Sequence, residues 1–283
     1  MSVRIVTDST CDLSPETIKA LDITVLPIYL LFGTESYRDG VDINTDEFYH
    51  KLMHGSVYPT TSQPTPQDFS VAFNQLAQAG ADGIICIHIS VKLSGALNSA
   101  KQAKQNSSLA IPIEIIDSQT VSLGIGLIVS AAARMAKAGK SMAEITEAVH
   151  RMIACSTLLI VFDTLEFLAK GGRIGKVSSL LGTILNIKPV VTIKDGELVP
   201  SGKVRSHAKG KERLLQFVNN LTDAEDIAVA YNTTPDEAKE IADLITVGTP
   251  KNISIDRLGS VISAHGGPGV LGIAVLRKNQ PED

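Results

Sequence analysis

Hydroxyl, amide and glycine residues gather at a few points along this chain, each time where an apolar run ends. Thr60-Thr61-Ser62-Gln63-Pro64 precedes an amphipathic segment, and Ser94-Gly95-Ala96-Leu97-Asn98-Ser99 follows the apolar run Ile84–Ile89. Free N–H groups and the dipole at a helix start suit an anion. In open parallel sheets, ligands also bind beyond the carboxyl ends of strands. Taken singly, Thr61, Ser62 and Ser94 are equally what helix caps look like. Asp8-Ser9-Thr10 and Asp117-Ser118 share the strand-end setting. Asp8 could be a phosphoryl-transfer nucleophile, but no metal cluster accompanies it, and an Asx turn bracing the loop is the simpler role. Lys170-Gly171-Gly172-Arg173 sets cations in a glycine turn, where a C-cap is the alternative. His265 lies in Ala264-His265-Gly266-Gly267-Pro268-Gly269, read as a rigid loop around a lone histidine that is either a site residue or a structural one.

Familiar catalytic signatures are missing. The sequence contains neither HExxH nor the GxSxG elbow. Gly175-Lys176 lacks the distal Gly and the following Ser or Thr of a P-loop. Gly267-Pro268-Gly269-Val270-Leu271-Gly272 matches GxGxxG as a string but runs into β-branched residues, whereas the dinucleotide fingerprint must open a helix.

The elements that would carry these residues alternate through the first half. Arg4–Thr7, Ile23–Leu31, Gly83–Ile89 and Ile113–Ile116 read as strands. Helices are predicted to start at Ser14-Pro15, Thr45, Thr65-Pro66, Ser94, Ser122 and Ser141. Strands separated by such helices imply βαβ units and a parallel sheet. After about residue 155 the pattern changes, with Asp195-Gly196 marking a hairpin among helices. The fold expected is therefore α/β in two domains. Residues 1–154 form a mainly parallel sheet flanked by helices, and 155–283 a smaller α+β domain with a mixed sheet.

Of 283 residues, 44% are hydrophobic, which excludes a disordered chain, and 4% are aromatic with no Trp, which disfavours base stacking. The net charge of −4 argues against nucleic acid as a partner. Cys11, Cys86 and Cys155 are too sparse and dispersed for a disulfide framework or a zinc site. No apolar run is long enough to span a bilayer and no secretion signal opens the chain, so a cytoplasmic protein without metal or cofactor is expected.

Read together, the order of Thr60–Pro64, Leu93-Ser94-Gly95, Ile116-Asp117-Ser118, Asp163–Gly175, Asn186–Pro189 and His265–Gly269 resembles the DegV family of bacterial fatty-acid-binding proteins. The resemblance runs from about Val3 to Arg277, and Asp163–Gly175 is its most specific stretch. Gly266 departs from it, standing where the family usually has Thr, and so removes a hydroxyl donor. The resemblance implies a tunnel between two domains holding one long-chain fatty acid. It also implies a carboxylate held by Thr61, Ser94 and His265, with Ser62 as a further candidate. The family precedent is a carrier, not an enzyme, that presents the acid to a separate fatty acid kinase for acyl-phosphate and phospholipid synthesis. Membrane contact would be at most transient. Arg173 is the candidate for docking that kinase or steadying a phosphorylated head, and Gly266 and Gly267 are candidates for loop support. The alternatives are a stand-alone enzyme on a phosphate or acyl substrate, using Asp8 or a serine near His265, and a lipid-sensing regulator. The apolar segments Ile125–Met135 and Leu180–Leu185 are candidates either for tunnel lining or for core.

Overall fold

The computed structural model describes residues 2–180, 187–246 and 252–279. The chain opens with the buried strand β1 (Val3–Asp8), a single 3₁₀ turn and helix α1 (Pro15–Leu21), capped by Ser14 with Pro15 in its first position. The apolar run 23–31 does not stay one strand. It divides at Pro27 into β2 (Thr24–Leu26), which pairs with β1, and β3 (Tyr29–Phe32), which joins another sheet. A proline fixes φ and has no N–H for a ladder, so the run breaks there. Next come β4 (Glu35–Arg38), α2 (Thr45–His54), β5 (Thr60–Ser62), α3 (Pro66–Gln78) and β6 (Gly83–His88). They are followed by α4 (Ala96–Gln105), β7 (Ile113–Asp117), α5 (Leu123–Lys137) and α6 (Met142–Cys155). The second half holds β8 (Ser156–Val161), α7 (Glu166–Lys170), β9 (Lys188–Lys194), β10 (Glu197–Val204) and α8 (His207–Asn219). It ends with β11 (Ala224–Tyr231), α9 (Pro235–Asp243), β12 (Asn252–Arg257), α10 (Ser260–Gly266) and β13 (Leu271–Arg277).

The expected parallel sheet is present, in the order β2-β1-β6-β7, and the expected mixed sheet has six strands, β10-β9-β8-β13-β11-β12. Within the latter only β11 and β12 run parallel. Asp195 and Gly196 both have positive φ, 51° and 77°, as a type I′ hairpin turn requires. A third, antiparallel sheet, β4-β3-β5, was not foreseen, because Thr60-Thr61-Ser62 reads as a turn in isolation.

Helix α5 forms the layer between the two larger sheets, touching β1 and β6 on one side and β8, β11 and β13 on the other. Its Ile125, Ile128 and Val129 share one apolar core with Ile5 and Ile87 from the first sheet and Leu158 and Ile160 from the second. Strand alternation in β8 then turns Leu159 and Val161 to the opposite face, where α8 and α9 pack through Leu214 and Ile241. Around residues 154 and 155, α6 runs into β8 without a linker.

Candidate functional site

A partly open cavity lies beyond the carboxyl ends of the parallel strands. Thr10, Ile89, Val121 and Ser122 line it from the segments that follow β1, β6 and β7, where ligands of such sheets collect. Leu158, Ile160 and Phe162 form the opposite wall with Ala230 and Gly272, because that face of the mixed sheet points inward. Val261, Ile262 and His265 of α10 close it from above. Asp12 sets the position of α10. Its carboxyl accepts the Gly259 N–H at the helix start, 3.0 Å away, and the Ser122 hydroxyl at the cavity wall. Burial pushes that carboxyl up to about 8, so Asp12 is largely protonated at neutral pH.

Thr10 and Ser122 also line the cavity, but their hydroxyls donate to the buried Asp8 and Asp12. The other polar lining residues, Thr61, Gln63, Ser94, Arg173 and His265, gather at one end. Thr61 Oγ1 lies 2.8 Å from His265 Nε2. Burial and the neighbouring Arg173 guanidinium push the imidazole down to about 4, so the ring is neutral. Its Nδ1 is buried without a hydrogen-bond partner among the described residues. A cation nearby favours a bare lone pair there, which places the proton on Nε2 to be donated to Thr61. Thr61 then keeps its own proton for whatever enters the cavity. A Cβ on Gly171 would stand 2.1 Å from Nδ1, so glycine is what lets the turn after α7 close against the ring.

Arg173 donates from Nε to Leu93 O at 3.2 Å and from Nη1 to Gly171 O at 2.7 Å. Both acceptors are neutral carbonyls, so the guanidinium ties two loops together and keeps N–H groups to spare. Ser94 Oγ accepts the Ala96 N–H at 3.3 Å. It braces the turn into α4, whose N-cap is Gly95 rather than Ser94, and it lines the cavity with its hydroxyl proton still available.

Thr61, Ser94, His265, Arg173 and Gly266 are thus brought to one cavity. Ser62 is not: it follows Thr61 in β5, and alternation points it to the other side of the strand. Gly267 does not line the cavity either. Its φ is 72°, and a Cβ there would lie 2.3 Å from the Phe167 ring, so it supports the packing of α7 on α10. His265 sits in the last turn of α10, not in a loop, because the segment from Ser260 winds before the glycines break it. Gly267 and Gly269, both with positive φ, then lead into β13, so the GxGxxG string opens no helix. Gln63 escaped notice although it lies in the segment singled out for Thr61. Its amide lies 3.0 Å from where a Gly95 Cβ would be, across the start of α4.

Asp8 is buried and does not line the cavity. It accepts the Thr10 N–H at 3.1 Å and the Ile89 N–H at 3.3 Å, and lies 2.9 Å from His88 Nδ1. Burial raises its pKa, but these bonds outweigh burial and hold it below the usual carboxylate range. It braces the loop ahead of Thr10. None of the residues 125–135 lines the cavity; the buried ones, Ile125, Ile128, Val129, Ala132 and Ala133, are core between the sheets. Residues 181–186, with the rest of the other candidate segment and Asn186, lie outside the described residues. Among the described residues no three His, Cys, Asp or Glu side chains come together as metal ligands, and no helix is long and apolar enough to cross a membrane.

Residues 2–278 match the DegV family, described as "Uncharacterised protein, DegV family". The chain belongs to the DegV family. A DegV domain-containing protein of Deinococcus radiodurans is 37% identical over 280 residues, covering 97% of this chain and 98% of its own. One from Caldanaerobacter subterraneus subsp. tengcongensis is 36% identical over 277 residues, covering 96% and 97%. Among solved structures, a fatty-acid-binding DegV family protein of Thermus thermophilus superposes with a TM-score of 0.90 at 33% identity, covering 98% of this chain and 100% of that one. A stearic-acid-binding protein of Eubacterium ventriosum gives 0.87 at 29%, covering 98% of each chain. The parallel and mixed sheets described above are those of the DegV fold.

Proposed function

We propose that this DegV family chain binds one long-chain fatty acid in the cavity and presents its carboxylate to a separate fatty acid kinase in the cytoplasm, performing no catalysis itself. The reading rests on one feature above all: a largely apolar cavity whose polar groups, apart from two hydroxyls committed to buried aspartates, gather at one end. The names of the Thermus and Eubacterium proteins support the ligand class. Domains 1–154 and 155–283 supply opposite walls in this reading. Each buried methylene contributes about 0.8 kcal/mol, so a long acyl chain dominates affinity. A buried carboxylate without partners would cost several kcal/mol, and the polar end supplies them. Thr61 and Ser94 donate hydroxyl protons, and Arg173 supplies the compensating charge and steadies a head group that becomes phosphorylated.

Extraction of the purified protein followed by mass spectrometry tests the ligand, with close to one fatty acid per chain expected. Recovery of only a water-soluble phosphate compound would refute the carrier reading and favour an enzyme. Adding a fatty acid kinase and ATP tests the delivery step, with acyl phosphate expected only when this chain is present. Bound fatty acid that no kinase can reach would point to a lipid sensor instead.

A further inference from the structure

Tyr58 reaches all three pieces of the polar end without touching the cavity. Its hydroxyl lies 2.7 Å from Ala264 O and 3.3 Å from Phe167 O. Ala264 immediately precedes His265 in the last turn of α10, where helix carbonyls have no partner within the helix. Phe167 belongs to α7, whose end carries Gly171 and, two residues further, Arg173. Tyr58 itself lies three residues before Thr61. The ring packs on Phe167 with centroids 5.9 Å apart, and Lys170 Nζ lies 5.3 Å over its face. One phenol therefore joins the segments that bear Thr61, His265 and Arg173.

We infer that Tyr58 is a positioning residue, whose hydroxyl holds the His265 turn at the distance that lets His265 bond Thr61 and so orients the Thr61 proton toward a ligand carboxylate. Two tight contacts make the adjustment sensitive. Gly171 abuts His265 and Gly267 abuts Phe167, so α7 and α10 cannot slide independently. Without the hydroxyl, the Ala264 carbonyl loses its partner and the turn carrying His265 is free to relax. The inference rests on the fatty-acid reading of the cavity for its ligand, but the geometry it concerns exists in the free protein.

Tyr58→Phe removes the hydroxyl and keeps the ring, its packing on Phe167 and its contact with Lys170. Two measurements are needed. In the ligand-free protein, ¹⁵N spectra of the histidine rings report the His265 tautomer, with the signal assigned from His265→Gln. A shift of the His265 Nε2 signal toward a tautomeric mixture is expected, and an unchanged signal overturns the inference. In the second, affinities of a long-chain fatty acid and of the fatty alcohol of the same length are compared. Tyr58→Phe should weaken the acid about fivefold, the loss of one ordinary hydrogen bond's worth of positioning, and leave the alcohol unchanged. Equal weakening of both would mean that Tyr58 only stabilises the fold, which also overturns it. If the wild-type protein binds neither compound, the fatty-acid reading fails, while the ring spectra still decide the role of Tyr58.

Discussion

Thr61→Ala separates the head of the proposed ligand from its tail. The substitution removes a hydroxyl donor at the polar end and leaves His265 Nε2 without its partner at 2.8 Å. A hydrogen bond to a charged group contributes about 1.5–3 kcal/mol, so affinity for a carboxylate should fall roughly 10- to 100-fold. The tail acts differently. At about 0.8 kcal/mol per methylene, each added carbon should tighten binding about fourfold. Since Leu158, Ile160 and Val261 line the apolar part and Thr61 the polar end, the two contributions should be independent. Displacement of a fluorescent fatty acid from delipidated protein by saturated acids of increasing length measures both. Plotted as log Kd against chain length, wild type and Thr61→Ala should give parallel lines, the mutant displaced to weaker binding. Thr61→Ser, which keeps the hydroxyl, should lie close to wild type. A changed slope would show that Thr61 meets the tail, and coincident lines would show that it donates nothing to the head. Either result refutes the assignment.

Gly171→Ala should disturb the same end from the other side, because its Cβ would stand 2.1 Å from His265 Nδ1. A head displaced by 1 Å can cost about 10²-fold in rate, so kinase-dependent acyl-phosphate formation should fall far more than fatty-acid content. Ala230→Phe fills the apolar wall, and acid-length profiles should then shift toward shorter chains; a uniform loss would place Ala230 outside the tail path. His265 is held near 4, below its ordinary 6.5, so the unfolded chain takes up the proton first and stability is lost as pH falls from 6.5 toward 4. Melting curves of His265→Gln should lack that part of the decline. Asp12 is shifted the other way, from 3.8 to about 8, so the native state loses stability as pH rises through that window. Asp12→Asn can accept from Gly259 and donate to Ser122 without ionising, and its advantage in urea unfolding should grow from pH 4 to pH 8. An advantage equal at both values would contradict the shift.

Much of this protein was determined locally. Thr65-Pro66-Gln67-Asp68 and Ser141-Met142-Ala143-Glu144 form capping boxes in the structure, and Asp195-Gly196 turns the hairpin. Such signals are legible because the deciding hydrogen bonds and φ angles involve residues within a few positions of each other. The parallel sheet is legible for a related reason, since long apolar runs suit strands covered on both faces. Tertiary structure decided the rest. Thr60-Thr61-Ser62 is a strand only because Leu30 lies beside Thr61, and that pairing alone sends Ser62 away from the cavity. The same sequence reading could not separate α5, which is core between two sheets, from a tunnel wall, because both demand an apolar helix. Thr61 and His265 are 204 positions apart, and what joins them is the packing of α10 over the carboxyl ends of the first sheet. No local preference encodes that distance; it is set where two sheets, one shared helix and a phenol hydroxyl come to rest against each other.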